Sequence, residues 1–330
     1  MKKHVLQWHI THKCNLRCTH CYQNEYEKDL SLEKLEIIFN QYLSFLKKYD
    51  FKGHINFTGG EPFLYKDIFH LFDLCVKNNI TFGILTNGTL LNDDIVKKLS
   101  NYSNLSFVQI SIDGTKETHD AIRGKGMFEL SLKNLKKLQK YKIQTMVSFT
   151  CHKHNYKELE NVIKVIKKNK VDRFWVDRLI PMGNNTENIL TPKEYEEVIK
   201  LLTYWSEKCE KNPFCKTKIH TNRALQFCFS KKEIYHCSAG KSLLTILADG
   251  TLLPCRRLPL EIGNVLEKDL LMLFEESEII KDLSISSIPE DCKGCTMANH
   301  CRGGAKCLSY ALKNNYKIKD SYCNFKNFML

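Results

Sequence analysis

The sequence predicts an α/β protein whose larger part is a partial barrel of six β/α units. Two observations support this class. Short runs rich in Val, Ile, Phe and Thr alternate with longer amphipathic stretches from residue 4 to about residue 210, and turn residues separate the two kinds of segment. Strands that alternate with helices form parallel sheets. Six units are too few for a closed eightfold barrel, so we expect an open one.

Each strand of the predicted barrel is followed by a helix. The strands are HVLQWHI (4–10), HINFT (54–58), ITFGILT (80–86), LSFVQISI (105–112), IQTMVSFT (143–150) and DRFWVDRLI (172–180). The helices are predicted at 31–49, 66–79, 92–102, 128–141, 156–169 and 192–209. In the fourth predicted helix (128–141) Leu132, Leu135 and Leu138 recur at helical spacing, which places the neighbouring lysines on a solvated outer face.

The composition is that of a globular protein, with 43% hydrophobic and 26% charged residues in a chain of 330. The start has no apolar run of signal-peptide length, and no uncharged stretch approaches the length of a membrane span. We therefore expect a cytoplasmic protein with no membrane partner. The net charge of +13 is explained by a solvated surface or by attraction of an acidic peptide, and less readily by nucleic-acid binding.

Fifteen cysteines in a chain expected to be cytoplasmic indicate metal-binding or catalytic thiols rather than disulfides. Cys14, Cys18 and Cys21 lie together directly after the first strand. Three thiolates can hold three irons of a 4Fe–4S cube and leave the fourth iron open to a small chelating molecule. The alternative is a zinc site completed by a nearby histidine, although this cysteine spacing is not that of the usual zinc knuckles. The available histidines are His9, His12 and His20.

The segment CNLRCTHC resembles the signature of radical S-adenosylmethionine (radical SAM) enzymes, C-x-x-x-C-x-aromatic-C. The resemblance implies that the methionine part of SAM chelates the open iron. It also implies that electron transfer cleaves SAM to a 5'-deoxyadenosyl radical, which removes a hydrogen atom from the substrate. Parallel α/β folds bind ligands at the carboxyl ends of their strands, where the other unusual segments of this sequence also lie.

The resemblance assigns roles to these strand-end segments. In TGGEP (58–62) the backbone of Gly59 and Gly60 is expected to approach the methionine amino group, which Glu61 helps to neutralise. SIDG (111–114) and HDAIRGKG (119–126) resemble the segments that contact the SAM ribose through Ser111 and its carboxylate through Arg123. Three further residues are implied at the site: Tyr22 near the adenine, and Asn87 and Asp113 as pocket-lining or turn residues.

The cysteines of the last third resemble a SPASM domain, which holds auxiliary iron–sulfur clusters; we expect one or two here. The resemblance assigns an outer cluster to Cys292, Cys295, Cys301 and Cys323, and an inner cluster to Cys237 and Cys255. A pair of zinc ribbons is the alternative. One position departs from the family pattern, because Ala305 stands where a cysteine is usual and a cysteine follows two residues later at Cys307. We expect Cys307, or the upstream Cys228, to complete the inner cluster, unless that cluster keeps an open iron.

These assignments predict a barrel at 1–210, a bridging segment at 211–236 and a SPASM domain at 237–330. Relatives with a SPASM domain mostly modify peptides or proteins, so the resemblance predicts a maturase that cross-links or epimerises a ribosomally synthesised peptide. Cys151, at the mouth of the fifth strand, is a candidate hydrogen-atom donor or, more ordinarily, a buried structural cysteine. The expected partners are a precursor peptide, an electron donor such as flavodoxin or ferredoxin, and a separate leader-peptide recognition protein, since the first strand begins almost at residue 1.

Other functions stay open as alternatives. An anaerobic sulfatase-maturating enzyme is the first, although such enzymes carry an aspartate directly after the second SPASM cysteine, where this sequence has Arg256. An RNA-modifying or small-cofactor-biosynthesis radical SAM enzyme is less favoured. A non-catalytic electron-transfer protein would need the clusters but not TGGEP, SIDG and Arg123.

Overall fold

The computed structural model describes residues 2–23, 29–182, 186–220, 224–225, 228, 234–285 and 287–324. In the first two thirds of the chain the strands are β1 (Lys2–His9), β2 (Phe51–Thr58), β3 (Thr81–Thr86), β4 (Leu105–Ser111), β5 (Thr145–Cys151) and β6 (Arg173–Arg178). The helices are α1 (Leu32–Lys48), α2 (Ile68–Lys77), α3 (Asp93–Leu99), α4 (Lys116–Arg123), α5 (Met127–Lys140), α6 (Leu159–Lys168) and α7 (Pro192–Glu210). The six predicted strands and six predicted helices are therefore confirmed, and α4 is an addition.

The last third contains short strands and helices. They are β7 (Lys218–Ile219), β8 (Leu243–Ile246), β9 (Thr251–Leu253), β10 (Gly263–Asn264), α8 (Leu270–Glu276), α9 (Glu278–Ile285), α10 (Ala298–Cys301) and α11 (Lys306–Lys313). Single 3-10 turns lie at Pro62–Leu64, Tyr156–Glu158 and Glu290–Cys292. The predicted bridging segment falls partly outside the described residues, and the predicted domain boundaries stay predictions.

The chain divides into two compact units. The first comprises Met1–Ser111, Ile122–Thr145 and Ser238–Ile285. Its strands lie in the order β10-β9-β8-β1-β2-β3-β4. The pairs from β8 through β1, β2 and β3 to β4 are parallel. The pairs β8–β9 and β9–β10 are antiparallel. The register pairs His9 with Thr58 and Trp8 with Ile246, so the end of β1 lies between the ends of β2 and β8.

Large apolar side chains fill the core of the first unit. Trp8 and Phe57 are fully buried between the sheet and its helices, and the rings of Phe72 and Phe82 stack with centroids 4.6 Å apart. Helix α1 also packs on α8 through the rings of Phe45 and Phe274, whose centroids lie 5.0 Å apart, and Gln41 Nε2 donates to the carbonyl of Val265 at 3.0 Å. Residues of the C-terminal third are thus part of the same core as β1.

The lysine-rich helix α5 has the outer face that the sequence predicts. Leu135 and Leu138 are fully buried, whereas Lys133, Lys136 and Lys140 are exposed. Such burial on one side only is typical of a surface helix that packs on a sheet.

The second unit comprises Ile112–Ala121, Met146–Cys237 and Ser286–Leu330. Strands β5, β6 and β7 pair in parallel. Helix α7 begins with a capping box, in which the Thr191 side chain and the Glu194 side chain each accept the other residue's backbone amide, and Pro192 occupies the first turn. Within the described part of the chain, none of the helices is both long enough and apolar enough to cross a membrane.

Candidate active site

The loop after β1 carries the three cysteines of the predicted radical SAM cluster. Its backbone folds back on itself, since the amide of Cys21 donates to the carbonyl of Cys18 at 3.0 Å. Two sulfurs accept main-chain hydrogen bonds: the amide of Leu16 lies 3.4 Å from Cys14 Sγ, and the amide of Gln23 lies 3.4 Å from Cys21 Sγ. N–H donors favour the deprotonated sulfur that binds iron. The local backbone therefore suits thiolate ligands.

Two side chains from distant parts of the sequence approach these sulfurs. Asn87 Nδ2, after β3, lies 4.0 Å from Cys14 Sγ, and Arg123 Nη1, at the end of α4, lies 3.7 Å from Cys18 Sγ. A cationic guanidinium and an amide donor beside thiolates fit the negative charge of an iron–sulfur cluster, whose potential such donors tune. The structure thus brings two of the predicted SAM-site residues to the cysteines. Carboxylate binding by Arg123 stays a prediction.

The two glycines of TGGEP are required by backbone packing. The amide of Gly60 donates to the carbonyl of Thr11 at 2.9 Å, and the amide of Glu61 donates to the carbonyl of Lys13 at 2.8 Å. A Cβ at Gly59 would lie 2.4 Å from the Thr11 oxygen, and one at Gly60 would lie 2.1 Å from the Lys13 oxygen. The absence of side chains therefore lets this loop pack on the cysteine loop. An approach of the same backbone to the SAM amino group stays a prediction.

Glu61 is fully buried and connects the end of β2 to the end of β3. Its carboxylate accepts from Thr86 Oγ1 at 2.8 and 2.9 Å, from the amide of Asn87 at 2.8 Å and from the amide of Phe63 at 3.2 Å. Burial raises the pKa of Glu61 to about 7, although these hydrogen bonds and the charge of Arg123 act to lower it. Glu61 therefore holds the strand ends together, and its proposed role beside the SAM amino group stays a prediction.

Two further residues predicted near SAM, Ser111 and Asp113, lie at the end of β4 and directly after it. Ser111 is the last residue of β4. Asp113 is fully buried, and its Oδ1 accepts from the amide of Thr150 at 2.8 Å while its carbonyl accepts from Asn155 Nδ2 at 2.9 Å. These contacts hold Asp113 in the turn after β4, and its assignment to the SAM pocket stays a prediction.

Cys151, the candidate hydrogen-atom donor, is the last residue of β5 and is fully buried. Burial raises the pKa of its thiol, so the sulfur keeps its proton at neutral pH. A hydrogen-atom donor must carry an S–H bond, and the buried thiol meets that requirement. The donor role itself stays a prediction.

Tyr22 follows Cys21 directly, and its ring is 39% exposed. The guanidinium of Arg256 lies 4.0 Å from the centre of that ring, and the His9 ring lies 6.3 Å away. Arg256 therefore lies at the candidate site. In the sequence it is only a position that differs from the sulfatase-maturase pattern.

The cysteines of the predicted outer cluster lie close together in the second unit. Burial raises the pKa of Cys292 to about 11 and that of Cys301 to about 12, and the nearby Cys323 thiol adds to both shifts. The amide of Cys295 donates to the carbonyl of Cys292 at 3.1 Å. Buried thiols that repel one another as thiolates fit a cluster whose iron takes the place of their protons.

Cys228 lies beside this outer set. Burial, with smaller contributions from the thiols of Cys323 and Cys295, raises the pKa of the Cys228 thiol to about 12. Cys228 is predicted as an alternative ligand of the inner cluster, whereas in the structure it lies near thiols of the outer cluster. Its ligand role stays a prediction.

The cysteines predicted for the inner cluster are Cys237, Cys255 and Cys307. Cys255 begins a tight turn after β9, in which the amide of Leu258 donates to the Cys255 carbonyl at 2.9 Å. Cys237 is half-buried shortly before β8. Ala305 is buried and donates its amide to Asp320 Oδ2 at 3.2 Å, and Cys307 lies in the first turn of α11.

A buried ion pair anchors the region around Cys307. Arg178, at the end of β6, bonds through Nη2 to Asp320 Oδ2, and both side chains are almost completely buried. The Arg178 guanidinium also lies 4.4 Å from the ring centre of Tyr195 and 5.0 Å from that of Tyr322. Although burial alone would lower it, the pKa of Arg178 is raised because Asp320 and, to a smaller degree, Cys307 lie nearby. The sequence pattern contains no signal for this pair, since its partners are 142 residues apart.

Comparison with known families agrees with both cysteine motifs. Residues 8–166 match the model of the radical SAM superfamily, and residues 237–296 match the SPASM model of an iron–sulfur cluster-binding domain. The first segment contains Cys14, Cys18 and Cys21, and the second contains Cys237, Cys255, Cys292 and Cys295. Iron–sulfur clusters, rather than the zinc alternatives, are therefore assigned to both.

Three curated relatives illustrate the range of the family. An Fe-coproporphyrin III synthase of Methanosarcina barkeri is 31% identical over 221 residues, which are 64% of this chain and 54% of that relative. An AdoMet-dependent heme synthase of the same organism is 26% identical over 98% of this chain and 96% of its own length. A cysteine-type anaerobic sulfatase-maturating enzyme of Clostridium novyi is 29% identical over 89% of this chain and 85% of its own length.

Two solved structures share the fold over 98% of this chain. Streptococcus suis SuiB bound to its precursor peptide SuiA has a TM-score of 0.78 at 19% identity, and 76% of its chain is covered. The anSMEcpe protein with bound AdoMet and the Cp18Cys peptide has a TM-score of 0.79 at 22% identity, with 95% of its chain covered. These similarities confirm the predicted fold class, a radical SAM barrel followed by a SPASM domain.

Proposed function

Because this chain is a radical SAM enzyme with a C-terminal SPASM domain, we propose that it modifies a ribosomally synthesised peptide or protein. When bound, the 4Fe–4S cluster and SAM supply the 5'-deoxyadenosyl radical that removes a hydrogen atom from the substrate. The product we propose is a thioether or carbon–carbon cross-link, or an epimerised residue. Flavodoxin or ferredoxin is the electron donor we propose.

The observation that carries this proposal is the likeness to SuiB, a protein whose structure contains its precursor peptide. The sulfatase-maturating relative adds a second protein whose name describes modification of a protein. The net charge of +13 supports attraction of an acidic leader segment. A separate leader-recognition protein belongs to the same proposal.

Within the protein, each group near the cysteines has a distinct task in this proposal. Cys14, Cys18 and Cys21 hold the cluster, and Asn87 and Arg123 donate to two of their sulfurs. The TGGEP loop fixes the position of the cysteine loop through main-chain hydrogen bonds to residues 11 and 13.

The proposal is tested by anaerobic reconstitution and co-expression with a short peptide encoded beside the gene. Formation of 5'-deoxyadenosine together with a peptide that has lost two hydrogens indicates a cross-link. Uptake of deuterium from D2O without a change in bonding indicates epimerisation. The matched control is the triple variant Cys14→Ala, Cys18→Ala and Cys21→Ala, which should lose SAM cleavage and keep the iron of the C-terminal cysteines. SAM cleavage by that variant would contradict the cluster assignment.

A sulfatase-maturating activity is the first alternative, and Arg256 weakens it because the expected base at that position is an aspartate. Tetrapyrrole modification is a second candidate, favoured by the heme synthase relative that aligns over nearly the whole of both chains. Incubation with Fe-coproporphyrin III, SAM and a reductant separates these functions. A change in the mass of the tetrapyrrole would favour the second candidate over peptide maturation.

A further inference from the structure

A pocket of about 200 Å³ opens at the carboxyl end of β1, next to the cysteine loop. All of its lining residues belong to the first compact unit. They come from the end of β1 and the cysteine loop (His9, Thr11, His12, Tyr22, Gln23), the β8–β9 turn (Leu247, Ala248, Asp249) and the turn after Cys255 (Arg256). Because Tyr22 directly follows a cluster cysteine, a ligand in this pocket lies close to the radical SAM site.

Arg256 is fixed in this pocket by its own backbone. The turn from Cys255 to Leu258 is closed by a hydrogen bond, and the amide of Arg256 donates to Thr245 Oγ1 at 3.1 Å. The guanidinium carbon of Arg256 lies 4.0 Å from the centre of the Tyr22 ring, so the cation contacts that ring. A guanidinium carries five N–H donors, and it often forms two hydrogen bonds at once to a carboxylate.

His9 presents a second polar group to the same pocket. Its side chain is 5% exposed, and Nε2 has no hydrogen-bond partner among the residues that the structure describes. Burial, together with the positive charges of Arg256 and His12, lowers the pKa of His9 to about 3, so its ring is neutral and can donate one hydrogen bond. Buried polar atoms in folded proteins are normally paired, so an unpaired one in a pocket wall points to a ligand.

Among the residues that the structure describes, Asp249 lines the pocket and Asp29 bonds to the pocket residue Thr11, and both carboxylates have local partners. Asp249 accepts from the amide and the hydroxyl of Thr251, both at 2.9 Å, within the β8–β9 turn. Asp29 accepts from Thr11 Oγ1 at 2.6 Å and pairs with Lys13 at 2.9 Å. Their carboxylates are thus directed to local partners, and the cation of Arg256 dominates the pocket wall.

We propose that this pocket binds a carboxylate group of the substrate, held by the guanidinium of Arg256 and by His9 beside Tyr22. The inference rests on the proposed function and narrows its substrate class to peptides that present an acidic side chain or a free C-terminus at the radical SAM site. It also gives Arg256 a positive role, because a carboxylate-binding cation stands where a sulfatase-maturating enzyme has an acidic base.

The test measures binding of small probes to the reconstituted holoenzyme with SAM, by ligand-observed NMR titration. N-acetylglutamate N-methylamide carries a side-chain carboxylate, N-acetylglutamine N-methylamide is its neutral counterpart, and N-acetylglycine carries a terminal carboxylate. We expect one or both carboxylate probes to bind wild type, and Arg256→Gln to weaken that binding about tenfold or more, because a charge-assisted hydrogen bond is lost. Arg256→Lys keeps the charge without the fork and should bind with intermediate affinity.

The neighbouring Arg257 does not line the pocket, so Arg257→Gln is the matched control and should bind the probes as wild type does. Iron content and circular dichroism of each variant establish that it is folded and loaded. If only binding of the glutamate probe depends on Arg256, the substrate group is an acidic side chain. If only binding of N-acetylglycine depends on Arg256, the substrate group is a C-terminus. Two outcomes overturn the proposal. In the first, wild type and Arg256→Gln bind both carboxylate probes with equal affinity. In the second, wild type binds the glutamate and glutamine probes with equal affinity and does not bind N-acetylglycine. A wild-type holoenzyme that binds the probes but fails to cleave SAM contradicts the proposed function instead.

Discussion

Replacement of Glu61 by glutamine tests how the ends of β2 and β3 are held together. The substitution keeps the shape of the side chain but exchanges one oxygen for an NH2 group. Both carboxylate oxygens of Glu61 accept a main-chain amide, from Asn87 and from Phe63. The NH2 group of Glu61→Gln must therefore face one of these amides and leave it unpaired. An unpaired buried donor costs about 1–3 kcal/mol of stability.

The protonation state of Glu61 makes the free energy of unfolding depend on pH. The folded-state pKa is raised from its ordinary value of 4.5 to about 7, mainly by burial. Between these values the native state holds a proton that the unfolded chain has lost, so stability falls as the pH rises. At about 1.4 kcal/mol per pKa unit, the whole effect is about 3 kcal/mol, of which about 1.3 kcal/mol is lost between pH 6 and pH 8.

Glu61→Gln removes this titration. We therefore expect the variant to be less stable than wild type at pH 6 and to recover about 1.3 kcal/mol relative to wild type by pH 8. Anaerobic urea unfolding of the reconstituted proteins at pH 6, 7 and 8, followed by circular dichroism, measures the difference. Glu267→Gln, on an exposed side chain, is the control and should keep the wild-type pH dependence. Parallel stability curves for wild type and Glu61→Gln would refute the assignment of a buried carboxylate that titrates near neutral pH.

Three further outcomes are expected. Arg123→Gln removes a cation 3.7 Å from Cys18 Sγ, so the cluster potential should fall by about 40 mV, equivalent to about 1 kcal/mol in a one-electron couple, as measured by redox titration; an unchanged potential would exclude the contact. Gly60→Ala places a Cβ 2.1 Å from the Lys13 oxygen, so thermal unfolding and iron analysis should show a loss of about 3 kcal/mol or more and poor cluster loading. Cys307→Ala should lower iron content and change the electron paramagnetic resonance of the inner cluster while SAM cleavage persists; an unaltered spectrum would remove Cys307 as a ligand.

The barrel strands could be predicted from sequence because their signal is local. Runs such as LSFVQISI combine β-branched and aromatic residues with turn residues at both ends, and β4 begins at the predicted residue. Strands β8, β9 and β10 were not predicted, since they have only four, three and two residues and are defined by pairing with β1 or with one another. Helix α4 was also missed, because its start depends on Glu158, which accepts from the amide and the hydroxyl of Thr115 at 2.7 Å.

For the candidate site, motifs identified residues but not their partners. Asn87 and Arg123 were predicted from their segments, yet the sulfurs they approach are 73 and 105 residues away along the chain. Sequence spacing contains no information on such contacts, because they follow from strand order. The sequence does not predict the pocket at Arg256 for the same reason, because its walls come from β1 and from the β8–β9 region.

The pairing of β8 with β1 affects how the chain can fold during synthesis. Val5 pairs with Leu243, so the outer edge of β1 has no partner until most of the protein has left the ribosome. An unpaired edge of β1, a strand that carries the large apolar side chains Leu6 and Trp8, is prone to pair with strands of other chains and aggregate. A fragment that ends after the barrel segment lacks β8, so the outer edge of β1 would stay unpaired. Expression of residues 1–210 alone should therefore yield aggregates rather than a smaller folded domain, so the C-terminal third acts as an internal safeguard during biogenesis.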